Sequence, residues 1–174
     1  MIEMLVLFAI SKRDLTMYAV HKFIENNFAP FTKPSFGAIN PALKRLIDKE
    51  FLTSRKSMSD GGKLSVFYSI TNSGIGELKK IILADYSENP IQFMPNAKIR
   101  LSCACVLDEA EKNRLFLMTK KNATKHKNIA EAFLSEDFNQ FNFYQKIVVD
   151  NTICELKNFI NIVEGFEKDN VSNS

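Results

Sequence analysis

Apolar residues recur at helical spacing in three segments of the first 50 residues. Residues 4–10 form an almost unbroken apolar run, which predicts a helix because its Met, Leu and Ala favour that conformation. Thr16 and Ser35 are good N-cap residues, and each predicts the start of a further helix. Pro41 lies beyond the first turn of the third helix, so we expect that helix to bend or to start its regular part later. The predicted apolar faces comprise Met17, Val20, His21 and Ile24 in the second helix and Ile39, Leu43, Leu46 and Ile47 in the third.

The period of the pattern changes after residue 51. Residues 52–56 are a short polar strand candidate, and residues 64–70 are a second one rich in β-branched and aromatic side chains. Asp60-Gly61-Gly62 lies between them and is a strong turn signal, so the two strands predict a hairpin. Thr71 can cap a fourth helix, and residues 89–95, with a proline at 90 and at 95, are interpreted as a break.

The second half is predicted to be mostly helical, with a short segment over residues 98–107, a long helix opening at Asp108 and a last helix from about 136 to 167. The last helix has the clearest pattern. Intramolecular packing can satisfy part of it, but a helix over roughly 40 Å long in a domain of about 80 residues favours a dimer contact. The predicted dimer residues, spaced four, three, four and three apart, are Val149, Ile153, Leu156, Ile160 and Val163, and Phe138, Phe141, Tyr144 and Val148 form a second stripe.

Three helices, a hairpin and a helix form the element order of a winged helix-turn-helix. This order suits DNA because a helix fits the major groove while a hairpin tip reaches a neighbouring phosphate row or the minor groove. The sequence therefore predicts a mainly α protein with a small β-hairpin. A winged helix-turn-helix DNA-binding domain over residues 1–86 precedes an all-helical dimerisation domain over residues 87–174.

The distribution of charge fits that division. Residues 1–83 hold 12 Lys and Arg against 7 Asp and Glu, a net charge of +5, whereas residues 84–174 carry −2. The basic excess of the first part indicates a polyanionic partner. No apolar run approaches the roughly 18 to 20 residues of a membrane span, and the first residues lack the basic start of a signal peptide, so we expect a cytoplasmic protein without a membrane partner.

Four short motifs follow one another in the first half. They are Thr16-Met17-Tyr18, then Ser35-Phe36-Gly37-Ala38-Ile39-Asn40-Pro41, then Leu43-Lys44-Arg45-Leu46 with Phe51-Leu52, and finally Tyr68-Ser69-Ile70-Thr71-Asn72-Ser73-Gly74. In order and spacing this set resembles the PadR-like transcriptional regulators, whose pattern includes S-G-Y, S-x-G-[ST]-L-Y-P, L-x-R-L-E-x-x-G-L-[IL] and Y-x-[LI]-T-x-x-G. The second half resembles the helical domain of the virulence-activator branch of that family, which implies dimerisation through long helices.

The chain departs from the family pattern at four positions. Met17 and Glu50 stand where the family has glycine, Ala38 stands where it has a hydroxyl residue, and Asn40 stands where it has tyrosine. Asn40 can pair bidentately with adenine, so this departure predicts a changed DNA sequence preference.

The resemblance implies a sequence-specific transcriptional regulator, a repressor, that acts as a homodimer on an inverted-repeat operator in double-stranded DNA. Ser35 either caps its helix only or also contacts a phosphate, Tyr18 lies in the core or on DNA, and Arg45 is placed to pair with Asp48. The predicted DNA-binding residues are Tyr18, Lys33, Ser35, Phe36, Gly37, Asn40, Lys44, Lys63 and Ser65.

Other functional classes have weaker support. The two histidines lie in different halves without a nucleophile motif or a phosphate-binding glycine loop, so we expect neither an enzyme nor a cofactor. Winged domains also mediate protein contacts, and Cys103 and Cys105 with the distant Cys154 leave a thiol or metal sensor open, although buried packing is the usual role of such cysteines. A small-molecule effector is a candidate partner, because packing or an effector pocket would explain the Phe-rich set Phe116, Phe133, Phe138, Phe141 and Phe143.

Overall fold

The structure is a computed structural model that describes residues 1–58, 62, 64–135 and 141–172, with side chains described as far as residue 166. The predictions for Lys63, for the turn residues Asp60 and Gly61, and for Phe138 concern residues outside the described part of the chain. The helices are α1 (Ile2–Ile10), α2 (Met17–Phe28), α3 (Phe36–Asp48), α4 (Asn72–Ile82), α5 (Pro90–Ser102), a 3₁₀ turn (Ala104–Val106), α6 (Glu109–Ser135) and α7 (Phe143–Ser172), and the strands are β1 (Leu15–Thr16), β2 (Leu52–Met58) and β3 (Leu64–Ile70).

The chain divides into two compact units. The N-terminal unit comprises Met1–Ala84 with Lys98–Val106, and the C-terminal unit comprises Asp85–Ala97 with Leu107–Ser174. The mainly helical class with a small antiparallel sheet is confirmed, and the N-terminal unit has the winged helix-turn-helix order. None of the described helices is both long and apolar enough to cross a membrane.

Helix α1 is the centre of the N-terminal core. Each residue from Met4 to Ile10 is buried, and α1 packs against α2, α3 and α4. A helix that is apolar on all sides requires such a position, because any exposed side would leave apolar surface in water. The three surrounding helices bury one face each, including Val20 and Ile24 from α2 and Leu78 from α4.

The sheet has the strand order β1-β3-β2 and is antiparallel throughout. The predicted hairpin is confirmed: β2 and β3 pair from Leu52 opposite Ile70 to Met58 opposite Leu64. The pairing of Leu15 with Tyr68 adds the two-residue strand β1, which the sequence did not indicate. A strand of two residues is too short to create an alternating pattern.

Three predicted helix starts are confirmed by their caps. The Thr16 and Thr71 hydroxyls accept hydrogen bonds from the backbone N–H groups of Ala19 and Gly74, at 3.2 and 3.0 Å. Asp108 and Glu111 form a capping box at the start of α6: the Glu111 N–H donates to Asp108 Oδ1 at 2.9 Å, and the Asp108 N–H donates to Glu111 Oε2 at 3.0 Å.

Two predictions for the second half are corrected. Pro90 does not end a helix but is the first residue of α5. A proline is tolerated at this position because the first N–H of a helix has no partner within the helix. The Asn89 side chain caps the start of α5 by accepting a hydrogen bond from the Ile91 N–H at 3.0 Å. The last helix begins at Phe143 rather than near residue 136, because Asn142 and Gln145 form reciprocal 2.9 Å capping bonds there.

The C-terminal unit is built on the packing of α6 along α7. Leu115, Phe116 and Ala123 from α6 are buried, as is Phe93 from α5. Ion pairs lie beside this contact, from Lys120 to Glu164 at 3.8 Å and from Lys157 to Glu131 at 3.1 Å.

Candidate nucleic-acid interface

Helix α3 has two chemically distinct faces. Its apolar face is fully covered, with Ile39 and Leu46 at 0% exposure and Leu43 at 1%. Gly37, Asn40 and Lys44 are all exposed and follow one another at intervals of three and four residues, so they share the opposite face. Helix α3 is therefore held to the core by one side while the other presents polar groups to solvent, despite Pro41 within it.

The start of α3 carries unused hydrogen-bonding groups. Ser35 occupies the N-cap position with φ −80° and ψ 161°, but its hydroxyl makes no capping hydrogen bond. The Ser35 carbonyl oxygen accepts from the Ala38 N–H at 3.0 Å. The predicted N-cap position is confirmed, and the exposed hydroxyl at the positive end of the helix dipole remains able to bind an anion.

Three stacked rings fix the start of α3 against α2. The Phe36 ring lies 4.0 Å from the His21 ring with an 8° angle between their planes, and 6.2 Å from the Tyr18 ring at 16°. Tyr18 is 61% exposed and Phe36 is 41% exposed, so this stack faces solvent and Tyr18 is not a core residue.

His21 is the member of this stack that the sequence analysis missed as a site residue. Its buried Nδ1 has no hydrogen-bond partner within the described chain. Helical spacing placed His21 on the apolar face of α2, and only the approach of α3 turns that position into a stacking contact.

The basic residues around α3 differ in how far they are neutralised. Lys33 and Lys44 are exposed, and neither forms an ion pair within the part of the chain that the structure describes. Arg45 instead pairs with Glu3 of α1 at 2.6 Å, which corrects the expected pairing with Asp48. Because Arg45 is held this way, Lys33 and Lys44 are two cations near the start and the exposed face of α3 that remain available to an anionic partner.

The predicted wing is a hairpin with exposed polar residues along β2, including Lys56, and exposed apolar residues where its two strands end. Met58 and Leu64 are each 62% exposed near its tip. Ser65 is half-buried and lies opposite Ser57 in the register. Arg55 at the base of the wing pairs with Asp14 at 3.1 Å and lies 5.4 Å from the centre of the Phe67 ring.

The three cysteines are free thiols in different surroundings. Burial, with a smaller effect of Cys105, raises the pKa of the Cys103 thiol to about 12, so Cys103 is a neutral core group. Cys105 is exposed, with its Sγ 3.1 Å from Lys12 Nζ, and Cys154 is exposed on α7. No group of three or more His, Cys, Asp or Glu among the described residues is placed to hold a metal ion.

The predicted dimer stripe lies largely inside the C-terminal unit. Ile153, Leu156 and Val163 are 6%, 4% and 0% exposed in the single chain, and Val149 and Ile160 are half-buried. The three buried side chains already have a partner within the chain. Apolar side chains elsewhere on α7 remain exposed, including Tyr144 at 77%, Ile162 at 46% and Phe166 at 50%.

The N-terminal part of the chain matches the model of a known family. The model of the transcriptional regulator PadR-like family matches residues 6–80, which span α1 to α4 and include the exposed face of α3. No curated relative matches the chain by sequence.

Several solved structures are similar to the chain. Bacillus subtilis PadR in complex with operator DNA is 18% identical, with 94% of each chain covered and a TM-score of 0.47. The protein smu.1604c from Streptococcus mutans UA159 is 19% identical, with 95% of this chain and 98% of that chain covered and a TM-score of 0.45. A PadR family transcription regulator from Clostridium difficile R20291 is 27% identical, with 45% of this chain and 80% of that chain covered and a TM-score of 0.41.

Proposed function

Because residues 6–80 of this chain belong to the PadR-like transcriptional regulators, we propose that the protein is a homodimeric repressor that binds double-stranded DNA with α3 in the major groove. The observation that carries this proposal is the division of α3 into a covered apolar face and an exposed face with Gly37, Asn40 and Lys44. A helix anchored in this way can enter the groove without loss of core packing.

Base recognition is assigned to Asn40. Its amide is exposed in the middle of the free face of α3, and an asparagine amide can donate to and accept from the major-groove edge of adenine. Gly37 lies one turn earlier on the same face, where the absence of a side chain lets the helix approach the bases closely.

Phosphate binding is assigned to the residues around that face. Lys33 and Lys44 supply charge, and the Ser35 hydroxyl supplies a donor at the helix start. Tyr18 and Phe36 border the same edge through their stacked rings. The wing contributes Ser65, and Lys63 is retained as a wing contact from the sequence analysis.

Dimerisation is assigned to α7. The predicted residues Val149 and Ile160 are half-buried, and Ile153, Leu156 and Val163 support the helix from inside the chain. The second copy would cover the exposed side chains of the same helix. Tyr144, Ile162 and Phe166 share one side because their separations of 18 and four residues are close to whole helical turns.

A two-fold dimer would bind an inverted repeat with half-site centres roughly 10 or 20 base pairs apart. Once one subunit has bound its half-site, the second subunit is held at a high effective concentration near the other half-site. The dimer would therefore bind DNA far more tightly than a single subunit. This function places the protein in the cytoplasm with the DNA it regulates.

The test of DNA binding begins with genome-wide footprinting of the native protein, followed by anisotropy titrations on a recovered site. We expect a log–log salt slope near −4 to −7, since about four to eight phosphate contacts per dimer release condensed counterions. Lys44→Ala should lower the affinity for all DNA sequences alike and make the salt slope less steep. Lys49→Ala is the matched control, because Lys49 is exposed at the far end of the same helix. A slope near zero would reject the proposal.

Base recognition has a separate readout. Asn40→Ala should relax preference at one base position by roughly 1 to 3 kcal/mol while leaving the salt slope unchanged. If affinity and preference are both unaltered, Asn40 is a surface residue without a reading role.

The dimer is tested by light scattering of the full chain. Ile162→Asp should raise the dimer dissociation constant at least tenfold, because it puts an unpaired charge on the proposed contact surface. The neighbouring change Asn161→Asp should leave the dissociation constant unaltered. A wild-type monomer at micromolar concentration, or equal effects of the two variants, would contradict dimerisation through this side of α7.

A further inference from the structure

An amine and two thiols meet in the N-terminal unit although they are distant in sequence. Lys12 lies in the turn after α1, and Cys103 and Cys105 lie between α5 and α6. Lys12 Nζ is 3.1 Å from Cys105 Sγ, across a sequence separation of 93 residues. Both of these groups also act electrostatically on the Cys103 thiol, so the three side chains form one cluster. The segment Lys98–Val106 belongs to the same compact unit as Lys12.

The Lys12 side chain is held from a second direction as well. Its Nζ lies 4.7 Å from the centre of the Phe8 ring, a distance at which a cation is attracted to an aromatic face. Phe8 is 6% exposed, so this ring is part of the core. A lysine has a flexible four-carbon stem, and a contact on one side alone would restrain it poorly. The ring and the thiol together keep Nζ beside Cys105 Sγ.

The two thiols of the cluster differ in their access to solvent. Cys105 and Lys12 are both exposed, so a small oxidant can reach the atoms that are in contact. Cys103 is 0% exposed, and burial raises the pKa of its thiol to about 12, which keeps it neutral in the core. Because the oxidation of cysteine depends on exposure, Cys105 is the thiol of this cluster that reacts first.

From the contact between an exposed thiol and an exposed amine, we propose that hydrogen peroxide joins Lys12 to Cys105 through a covalent N–O–S bridge. In the first step the Cys105 sulfur bonds to one peroxide oxygen and the O–O bond breaks. The thiol proton leaves with the other oxygen as water, and a sulfenic acid remains. A sulfenic acid reacts onward with a neighbouring nucleophile, which here is the Lys12 amine.

The second step consumes a second peroxide. The Lys12 ammonium releases a proton to water, and a bond forms between Nζ and the sulfenic oxygen. One hydrogen of the amine and the hydrogen of the S–OH group pass with two electrons to the peroxide, which becomes two waters. Sulfur and nitrogen are thus each oxidised by two electrons, and two peroxides are reduced. A bridging oxygen needs Nζ and Sγ to approach only slightly from 3.1 Å, whereas a direct S–N bond needs a much closer approach.

The bridge ties the turn after α1 to the segment that follows α5. A cross-link between residues far apart in sequence stabilises a fold mainly by restricting the unfolded chain. We therefore expect peroxide to raise the unfolding midpoint of the N-terminal unit and a thiol reductant to reverse that rise. The modification does not rest on the proposed DNA-binding function, so its test contains no DNA.

The test treats the full chain with hydrogen peroxide, cleaves it after acidic residues and analyses the peptides by tandem mass spectrometry. We expect a linked pair of peptides, one with Lys12 and one with Cys105. Its mass should equal the sum of the two peptides plus one oxygen and minus two hydrogens, and dithiothreitol should separate the pair. Cys154 is an internal control, since it is exposed in the C-terminal unit and should gain oxygen without a link to Lys12.

Variants assign the link to these two side chains. Lys12→Arg keeps a cation beside Phe8 but removes the amine, and should lower the yield of the linked pair at least tenfold. Lys98→Arg is the matched control, because Lys98 is an exposed lysine in the segment that contains Cys105, and it should change the yield less than twofold. Cys105→Ser replaces an exposed side chain and should abolish both the link and the rise in the unfolding midpoint.

Four results would overturn the proposal. Oxidation of Cys105 to sulfinic or sulfonic acid without a linked pair would show that Lys12 does not capture the sulfenic acid. A single peptide that loses two hydrogens and contains both Cys103 and Cys105 would assign the oxidation to a disulfide. A linked pair without the added oxygen would contradict the N–O–S bridge, and an unchanged yield in Lys12→Arg would place the link at another residue.

Discussion

The described glycines of the two units differ in what surrounds them. In the N-terminal unit, a Cβ on Gly74 would lie 2.1 Å from the Phe51 carbonyl oxygen and 2.8 Å from Ile70 Cγ1. In the C-terminal unit, a Cβ on Gly165 would meet nothing within 4 Å. The N-terminal unit thus contains a close backbone approach at Gly74, whereas the C-terminal unit is built by side chains that pack between two long helices.

This difference follows from the elements that each unit joins. Around Gly74, the end of α3, the start of β2 and the start of α4 meet, and the Thr71 hydroxyl lies 2.8 Å from the Glu50 carbonyl oxygen there. Short elements that meet at turns leave little room to adjust. Two long helices can shift slightly along each other, so the C-terminal unit tolerates a cavity that a tight junction would not.

The largest effect is expected from Gly74→Ala. The new Cβ would overlap backbone, which no side-chain rotation can relieve, so we expect a loss of more than about 4 kcal/mol and unfolding of the N-terminal unit. Hydrogen exchange of peptides from residues 1–84 measures it. The control is Gly76→Ala, where nothing lies within 4 Å and alanine should stabilise α4 by about 0.5 to 1 kcal/mol. Similar hydrogen-exchange rates in the two variants would contradict the prediction that the close contact between Gly74 and Phe51 is essential to the N-terminal unit.

In the C-terminal unit, Leu156→Ala should reduce stability by about 3 kcal/mol, because the side chain is 4% exposed and its loss leaves a cavity. Leu117→Ala is the matched control at a site 54% exposed. Chemical denaturation at two protein concentrations measures both. If the effect of Leu156→Ala appears only at the concentration where the dimer forms, the residue supports the dimer rather than the chain's own core.

A smaller gain is expected from Glu50→Gly. Glu50 follows α3 with φ 57°, and the Phe51 N–H to Leu46 O bond at 2.9 Å and the Glu50 N–H to Ile47 O bond at 2.8 Å form a Schellman motif. Glycine adopts this left-handed conformation without strain, so the change should stabilise the unit by about 1 kcal/mol. Lys49→Gly, where φ is −90°, should destabilise it. Thermal unfolding that ranks these variants in the opposite order would refute the assignment of strain.

The smallest effect is a pH dependence in the C-terminal unit. Burial, with a contribution from Lys125, lowers the pKa of His126 below its ordinary value of 6.5, and Glu88 acts weakly in the opposite direction. The unfolded chain therefore binds more protons than the folded chain as the pH falls below about 6.5. Stability from this group is fully present above that pH and is lost as the pH falls towards the folded pKa.

Unfolding midpoints between pH 7.5 and 5.5 should fall more steeply for wild type than for His126→Phe. Glu88 and Glu131, whose pKa values lie below the usual 4.5 because of hydrogen bonds to Lys125 and to Lys157, stay charged in that range and do not contribute. Equal slopes in the two proteins would mean that His126 does not titrate differently on folding.

Local sequence patterns alone were sufficient to predict much of the structure of the N-terminal unit. The face of α3 that contains Asn40 and Lys44, the hairpin, and the caps at Thr16 and Thr71 each follow from neighbours a few residues apart in sequence. The pairing of Arg45 with Glu3 could not be predicted this way, because the partner is 42 residues distant and is brought near only when α1 packs on α3.

The packing of the C-terminal unit could not be predicted from the sequence for the same physical reason, because partners distant in sequence meet only in the folded chain. The spacing of Ile153, Leu156 and Val163 determined that one side of α7 must be covered, because apolar surface is driven from water whatever covers it. The identity of the covering surface is a property of tertiary packing, and it is α6 of the same chain that buries these residues. Only that packing leaves His126 beside an unfilled cavity and Tyr144 exposed on the other side of the helix.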